Sequence, residues 1–162
     1  MKVTNQKYFN ITENQCKKNK RYIELLSVLN NKYQVKEFYP TEMKNILVDD
    51  LSNMGWVKNK KAFKNSNAKV QIYSEKIGVQ IQFGNKAWVM YDILKLSNLQ
   101  NNDEIEFGVI VLYEKELQKY LMSGLGNFAN ITTEYEEYSK FLKSKIVFLE
   151  VNDGWYNYKR SF

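Results

Sequence analysis

Two nearly continuous apolar runs set the strongest limit on how this chain can fold. They are Ile105 to Tyr113 (IEFGVIVLY) and Lys145 to Val151 (KIVFLEV). Apolar runs without polar alternation are typical of strands covered on both faces of a sheet. Between them, the residue pattern predicts a short helix over 114–122, a loop over 123–126, and a helix opened by a capping box of Thr133 and Glu136. This order predicts a sheet packed between helices.

Upstream of these runs, the spacing predicts two helices and a β-hairpin. One helix is predicted over 18–31, and another begins at Pro40 and stops at Gly55. From Lys69 the apolar period becomes two, with a turn over 74–76, a second strand over 77–83 and a helix over 85–96. The non-core face of that second strand is predicted to carry Gly78, Gln80 and Gln82. The pattern therefore predicts an α/β (mixed α+β) fold, with a mixed sheet flanked by helices.

Composition places the chain among ordinary globular proteins. It has 162 residues, of which 44% are hydrophobic and 26% charged. No apolar run is long enough to span a bilayer, and the N-terminus lacks the apolar stretch of a signal peptide. We therefore expect a single domain over residues 1–162, located in the cytoplasm and without a membrane partner.

The residue types that are missing exclude several kinds of chemistry. The chain has no histidine, which excludes imidazole acid–base catalysis, histidine-dependent nucleophiles and His-ligated zinc. Cys16 is the sole cysteine, so no disulfide forms within the chain, and no catalytic base accompanies this thiol. No glycine-rich phosphate-binding fingerprint is present. Carboxylate, amide and lysine chemistry remain.

The net charge of +6 permits a polyanionic partner. Lysines cluster at 58, 60, 61 and 64, with asparagines between them. Such a cluster is suited to phosphate contacts, although a solvated loop would have the same composition. Our candidate DNA-binding residues are Lys44, Lys58, Lys60, Lys61, Asn85 and Lys86.

The segment Gly78 to Asn85 (GVQIQFGN) resembles the active-site strand of type II restriction endonucleases of the BglII and BstYI group. The following residues 86–92, the helix from Pro40 to Gly55-Trp56, and the stretches 106–109 and 115–124 are similar to that family in order and spacing. The resemblance implies a restriction-endonuclease-like core, a homodimer around palindromic double-stranded DNA, and Mg²⁺-dependent hydrolysis of a phosphodiester bond.

The resemblance also identifies where the active-site positions fall. The family's metal-binding Asp corresponds to Gln71 and its Glu to Gln80, whereas the family's Gln is retained as Gln82. Two lost negative charges would remove most of the attraction for Mg²⁺, so we expect no metal site and a degenerate centre. Acids that could replace the missing ligands are Glu75, Asp92 and Glu106.

Three functions remain open at this point. The first is a DNA-binding protein with a degenerate nuclease centre, which the Gln71 and Gln80 pair favours. The second is a working site-specific deoxyribonuclease that uses other acidic ligands. The third is a protein-binding module on the same fold, which the basic excess disfavours.

Overall fold

A six-stranded sheet forms the centre of the fold. The computed structural model describes residues 1–31, 40–118 and 126–152. Its strands are β1 (Lys2–Phe9), β2 (Val57–Lys61), β3 (Lys69–Ser74), β4 (Ile77–Ile81), β5 (Phe107–Tyr113) and β6 (Ile146–Asn152). Its helices are α1 (Glu13–Lys17), α2 (Lys20–Leu29), α3 (Pro40–Asn53), α4 (Ala87–Asn101), α5 (Lys115–Gln118) and α6 (Phe128–Ser139).

The sheet is mixed, with strand order β1-β6-β5-β4-β3-β2. β4, β5 and β6 are parallel neighbours, whereas β1, β3 and β2 pair antiparallel. Val109 and Val111 on one face of β5 pack with the core that includes α2 and α3, and Ile110 and Leu112 on its other face pack with the core that includes α4 and α6. This double coverage explains the continuous apolar runs and confirms the predicted fold class.

Helix α4 lies unusually close to the sheet because two glycines face it. Gly78 and Gly108 are partners in the β4–β5 register. A Cβ atom on either glycine would lie 2.8 Å from a methyl group of Leu96, and one on Gly108 would also lie 2.9 Å from Leu96 Cβ. Since Leu96 cannot move its Cβ by rotation, only glycine allows this approach. The same close approach places the turn of α4 that precedes Leu96 over the hairpin formed by β3 and β4.

Several predicted elements are confirmed and others need correction. Helices α2 and α3 lie where the spacing predicted them, and Gly55, two residues after the end of α3, has φ +88°. The capping box at Thr133 is wrong: α6 begins at Phe128, and its N-cap Asn127 accepts a hydrogen bond from the backbone N–H of Asn130 (3.0 Å). The short helix after β5 is described over 115–118, and residues 119–125 lie outside the described part of the chain.

Two edge strands were not predicted from the sequence. β1 was not anticipated, and the lysine cluster at 58–61 forms strand β2 rather than a loop. The face of β4 that carries Gly78 and Gln80 is also buried beneath α4, not a non-core face as predicted. Across the described residues, no helix combines the length and apolar character required to cross a bilayer.

Candidate functional site

The candidate site lies where strands β3 and β4 move apart. Their backbone register runs from Ser74 opposite Ile77 to Ile72 opposite Val79, and Gln71 and Gln80 are the next residues on the two strands. There, side-chain amides connect the two strands. The Gln71 N–H donates to Gln80 Oε1 (3.1 Å), and the Ile81 N–H donates to Gln71 Oε1 (2.8 Å). The two glutamines thus continue a ladder that the backbones no longer form.

Asp92 from α4 reaches into this site. It is 3% exposed. Its Oδ1 accepts a hydrogen bond from Gln80 Nε2 (3.0 Å), and its Oδ2 accepts one from Gln82 Nε2 (2.8 Å). Lys95, one helical turn further along α4, forms an ion pair with Oδ1 at 2.5 Å. The three glutamines, Asp92 and Lys95 constitute what we call the amide–carboxylate centre.

Backbone groups determine which way the three amides point. A backbone N–H can only donate, so the atom that faces it must be an amide oxygen. Gln71 and Gln80 each accept from such a group, and Gln82 Oε1 accepts from the Gly84 N–H (3.2 Å). The NH₂ groups of Gln80 and Gln82 are therefore the parts directed at Asp92. Both carboxylate oxygens are occupied by donors.

Burial dominates the electrostatics of Asp92. Removal from water raises the pKa of its carboxyl above the ordinary value, and the ammonium of Lys95 is the largest influence that opposes this rise. The hydrogen bond from Gln82 acts in the same direction as Lys95. The charge of the Asp92 carboxylate is thus stabilised by Lys95 and Gln82 rather than by water.

This donor set does not fit Mg²⁺. Magnesium needs hard oxygen ligands in near-octahedral geometry, whereas the atoms directed at Asp92 are two amide nitrogens and an ammonium. In the three described segments, no group of three carboxylate or thiol side chains lies close enough together to hold a metal ion.

The three acids considered as replacement ligands lie in different places. Glu75 is in the hairpin turn and pairs with Arg21 Nε (3.2 Å). Glu106 precedes β5, and its N–H donates to the Lys76 carbonyl at the same end of the sheet (2.7 Å). Of these three acids, only Asp92 is described as hydrogen-bonded to the glutamines, through Gln80 and Gln82. Lys95 was missed in the sequence, although its three-residue spacing from Asp92 on a helix was a usable signal.

Most of the candidate DNA-binding lysines already have acidic partners. Lys58 pairs with Asp49 (2.5 Å), and Lys60 pairs with Glu104 (2.7 Å). Lys86 pairs with Glu134, Lys44 is half-buried on α3, and Asn85 is exposed just before α4. Lys61 is exposed on edge strand β2, opposite Lys69 in the register.

The sheet order, the open hairpin and the flanking helices together form the fold of a restriction endonuclease. A crystal structure of restriction endonuclease BglII complexed with a DNA 16-mer matches with a TM-score of 0.74 and 11% identity, covering 93% of this chain and 76% of that one. Free BglII matches with a TM-score of 0.69 and 12% identity, over 94% and 80% of the two chains. No curated protein sequence gives a match.

The family is established by sequence. The model of the restriction endonuclease BglII/BglIII family matches residues 8–145, and the chain belongs to that family.

Proposed function

We propose that this chain binds double-stranded DNA through a restriction-endonuclease-like domain whose hydrolytic centre is degenerate. Family membership and the DNA-bound state of a similar fold support the DNA partner. The observation that supports a degenerate hydrolytic centre is the composition of the amide–carboxylate centre. Glutamines occupy the hairpin positions 71 and 80, and the nearby carboxylate of Asp92 is already neutralised by Lys95. The Mg²⁺ that the family uses would lack an anionic pair of ligands here.

The test combines two assays on the same protein preparation. A gel-shift assay with short duplexes measures binding in buffer without divalent cations, and a plasmid assay with Mg²⁺ or Mn²⁺ measures nicking. We expect retarded duplexes together with intact plasmid. No binding to any duplex would contradict the DNA proposal and leave the protein-binding alternative.

A working nuclease is the second candidate, and one observation favours it. Asp92 supplies a carboxylate to the hairpin from another element, in contact with both Gln80 and Gln82. Metal-dependent plasmid nicking that is abolished by Asp92→Asn would establish this alternative in place of the degenerate centre.

Binding to DNA should depend steeply on salt and on the β2 lysines. Each lysine–phosphate contact releases counterions and contributes roughly 0.9 to the slope of log K against log salt. Replacing Lys58, Lys60 and Lys61 with Ala should therefore lower affinity about equally for all sequences and flatten the slope by about 2 to 3. Fluorescence anisotropy at several salt concentrations measures both quantities.

The control for this variant removes the same charge elsewhere. Lys18, Lys20 and Lys145 are exposed and line a cavity of about 530 Å³ that also includes Glu75 of the hairpin turn. Replacing these three with Ala should leave most of the slope intact. Equal losses in both triple variants would mean that only net charge matters, and an unchanged affinity in the β2 variant would mean that its lysines are merely solvated.

We also propose that the protein is a homodimer, with the exposed apolar face of α4 in the contact. Trp88 and Tyr91 are 58% and 39% exposed and pack edge to face with ring centroids 6.0 Å apart, and Leu94 is 47% exposed. A two-fold dimer would bury this face against its own copy. Light scattering should give twice the chain mass of 19.3 kDa.

The dimer contact is tested by changing this face. Trp88→Glu with Leu94→Lys should raise the dimer dissociation constant by about 100-fold, because central aromatic contacts carry much of an interface's free energy. Phe141→Ser is the control, since Phe141 is 83% exposed but lies beyond α6. A monomeric mass for the unmodified chain at micromolar concentration would contradict the dimer.

The extent of the domain over residues 1–162 and the cytoplasmic location stay predictions.

A further inference from the structure

Lys95 stands in an unusual position for a lysine. It is 8% exposed, although lysine is seldom buried without a compensating partner. Its ammonium contacts Asp92 Oδ1 at 2.5 Å and donates to the backbone carbonyl of Lys69 at 3.1 Å. It also lies 5.1 Å from the centroid of the Tyr91 ring. The ammonium is therefore surrounded by two oxygen acceptors and an aromatic ring.

The oxygens around this ammonium are of the type that hard cations bind. A carboxylate oxygen and a main-chain carbonyl oxygen are both common ligands of Ca²⁺ and Mg²⁺. Gln80 Nε2 also lies within hydrogen-bond distance of both, at 3.0 Å from Asp92 Oδ1 and 3.4 Å from the Lys69 carbonyl. The Lys95 ammonium therefore bridges two oxygens, the Asp92 carboxylate on α4 and the Lys69 carbonyl at the start of β3.

The charges in this position balance with lysine and would not balance with an added dication. Asp92 contributes one negative charge and Lys95 one positive charge, whereas the three glutamines contribute none. A divalent cation placed beside Asp92 would meet the ammonium at contact distance in a buried environment, where like charges repel strongly. The centre therefore accommodates one monovalent cation, and Lys95 already supplies it.

We propose that the Lys95 ammonium is a built-in cation, which takes the place of a metal ion at this centre and closes the site to divalent cations. The inference deepens the proposed degenerate centre, on which it rests, and gives its chemical cause. Removing the positive charge of Lys95 should leave the buried Asp92 carboxylate without a compensating charge. The Asp92 oxygen and the Lys69 carbonyl oxygen would then face the space that the ammonium had filled. The variant should then respond to added divalent cations, whereas the native protein should not.

The experiment measures thermal unfolding without DNA, with and without millimolar Mg²⁺, Ca²⁺ or Mn²⁺. Lys95→Met keeps the aliphatic stem and removes the charge, and it should lower Tm by about 10 °C because it strands a buried charge. Added divalent cations should recover part of that loss in the variant and leave the native Tm unchanged. Asp92→Asn combined with Lys95→Met should lose less than the two single changes together and should show no cation response.

Two further variants keep the test interpretable. Lys95→Gln retains an N–H donor without the charge, so it serves if the Met variant does not fold. Lys140→Met removes an exposed ion pair of the same three-residue spacing with Glu137, whose side chains are 63% and 72% exposed, and Tm should change by only about 1 °C.

Three results would overturn the inference. They are saturable Mn²⁺ binding by the native protein in a calorimetric titration, no cation response in either Lys95 variant, and strictly additive losses in the double variant. The inference and the proposed function fail separately. Loss of duplex retardation in cation-free buffer would contradict DNA binding alone, whereas metal binding by a native protein that leaves the plasmid intact would contradict the built-in cation alone.

Discussion

Replacing Gln71 with Asp and Gln80 with Glu is expected to give the protein a Mg²⁺-dependent DNA-nicking activity that the unmodified chain lacks. Gln71 and Gln80 are hydrogen-bonded to each other and Gln80 contacts Asp92, so the new carboxylates would converge on one point. With Asp92 they would bring three negative charges against the single positive charge of Lys95, which would reopen the site to a divalent cation. A bound metal ion supplies an activated water and several kcal/mol of charge stabilisation, which corresponds to about 100-fold or more in rate. A supercoiled-plasmid assay measures the rate of nicking.

The single changes Gln71→Asp and Gln80→Glu are the matched controls, because each supplies only one of the two carboxylates. Both should nick far more slowly than the double variant. The double variant should also unfold at a lower temperature without Mg²⁺, since its carboxylates repel one another, and should regain stability when the ion is added. If the unmodified protein already cuts and the double change adds nothing, positions 71 and 80 are not the hydrolytic positions.

The second large effect is expected on stability. Gln80 is fully buried and joins both strands of the hairpin to α4. Gln80→Met keeps the length of the side chain but leaves the Gln71 N–H without its acceptor and removes one of the donors of Asp92. We expect the free energy of unfolding to fall by about 3 kcal/mol, because buried polar groups that lose their partners cost more than the bond itself. Urea denaturation measures the change.

Gln100→Met is the control for this prediction. Gln100 also binds backbone with both ends of its amide, donating to the Lys145 carbonyl (3.2 Å) and accepting from the Lys145 N–H (2.8 Å). It is half-buried, so water can replace these partners, and its loss should cost about 1 kcal/mol or less. Equal losses in the two variants would contradict a special role for Gln80 in the amide–carboxylate centre.

The central strands could be predicted because burial on both faces leaves a direct mark on composition. β5 is buried at every position, and β6 at most, so both are nearly continuous apolar runs. Edge strands carry no such mark. β2 consists mainly of exposed or half-buried lysine and asparagine, and only its pairing with β3 makes it a strand. The capping box at Thr133 failed because Asn127, six residues earlier, caps a longer helix.

The sequence by itself determined the central layers through local periodicity, and it determined the family through the resemblance of segments such as Gly78 to Asn85. The placing of Gln71 and Gln80 at the candidate site depends on that same resemblance. Only the tertiary structure decided what surrounds those glutamines. The paired glycines at 78 and 108 let α4 approach, and that approach carries Asp92 and Lys95 over the hairpin. Distances between residues on different elements depend on how closely those elements pack, and packing distance is not encoded in the spacing of residues along either element.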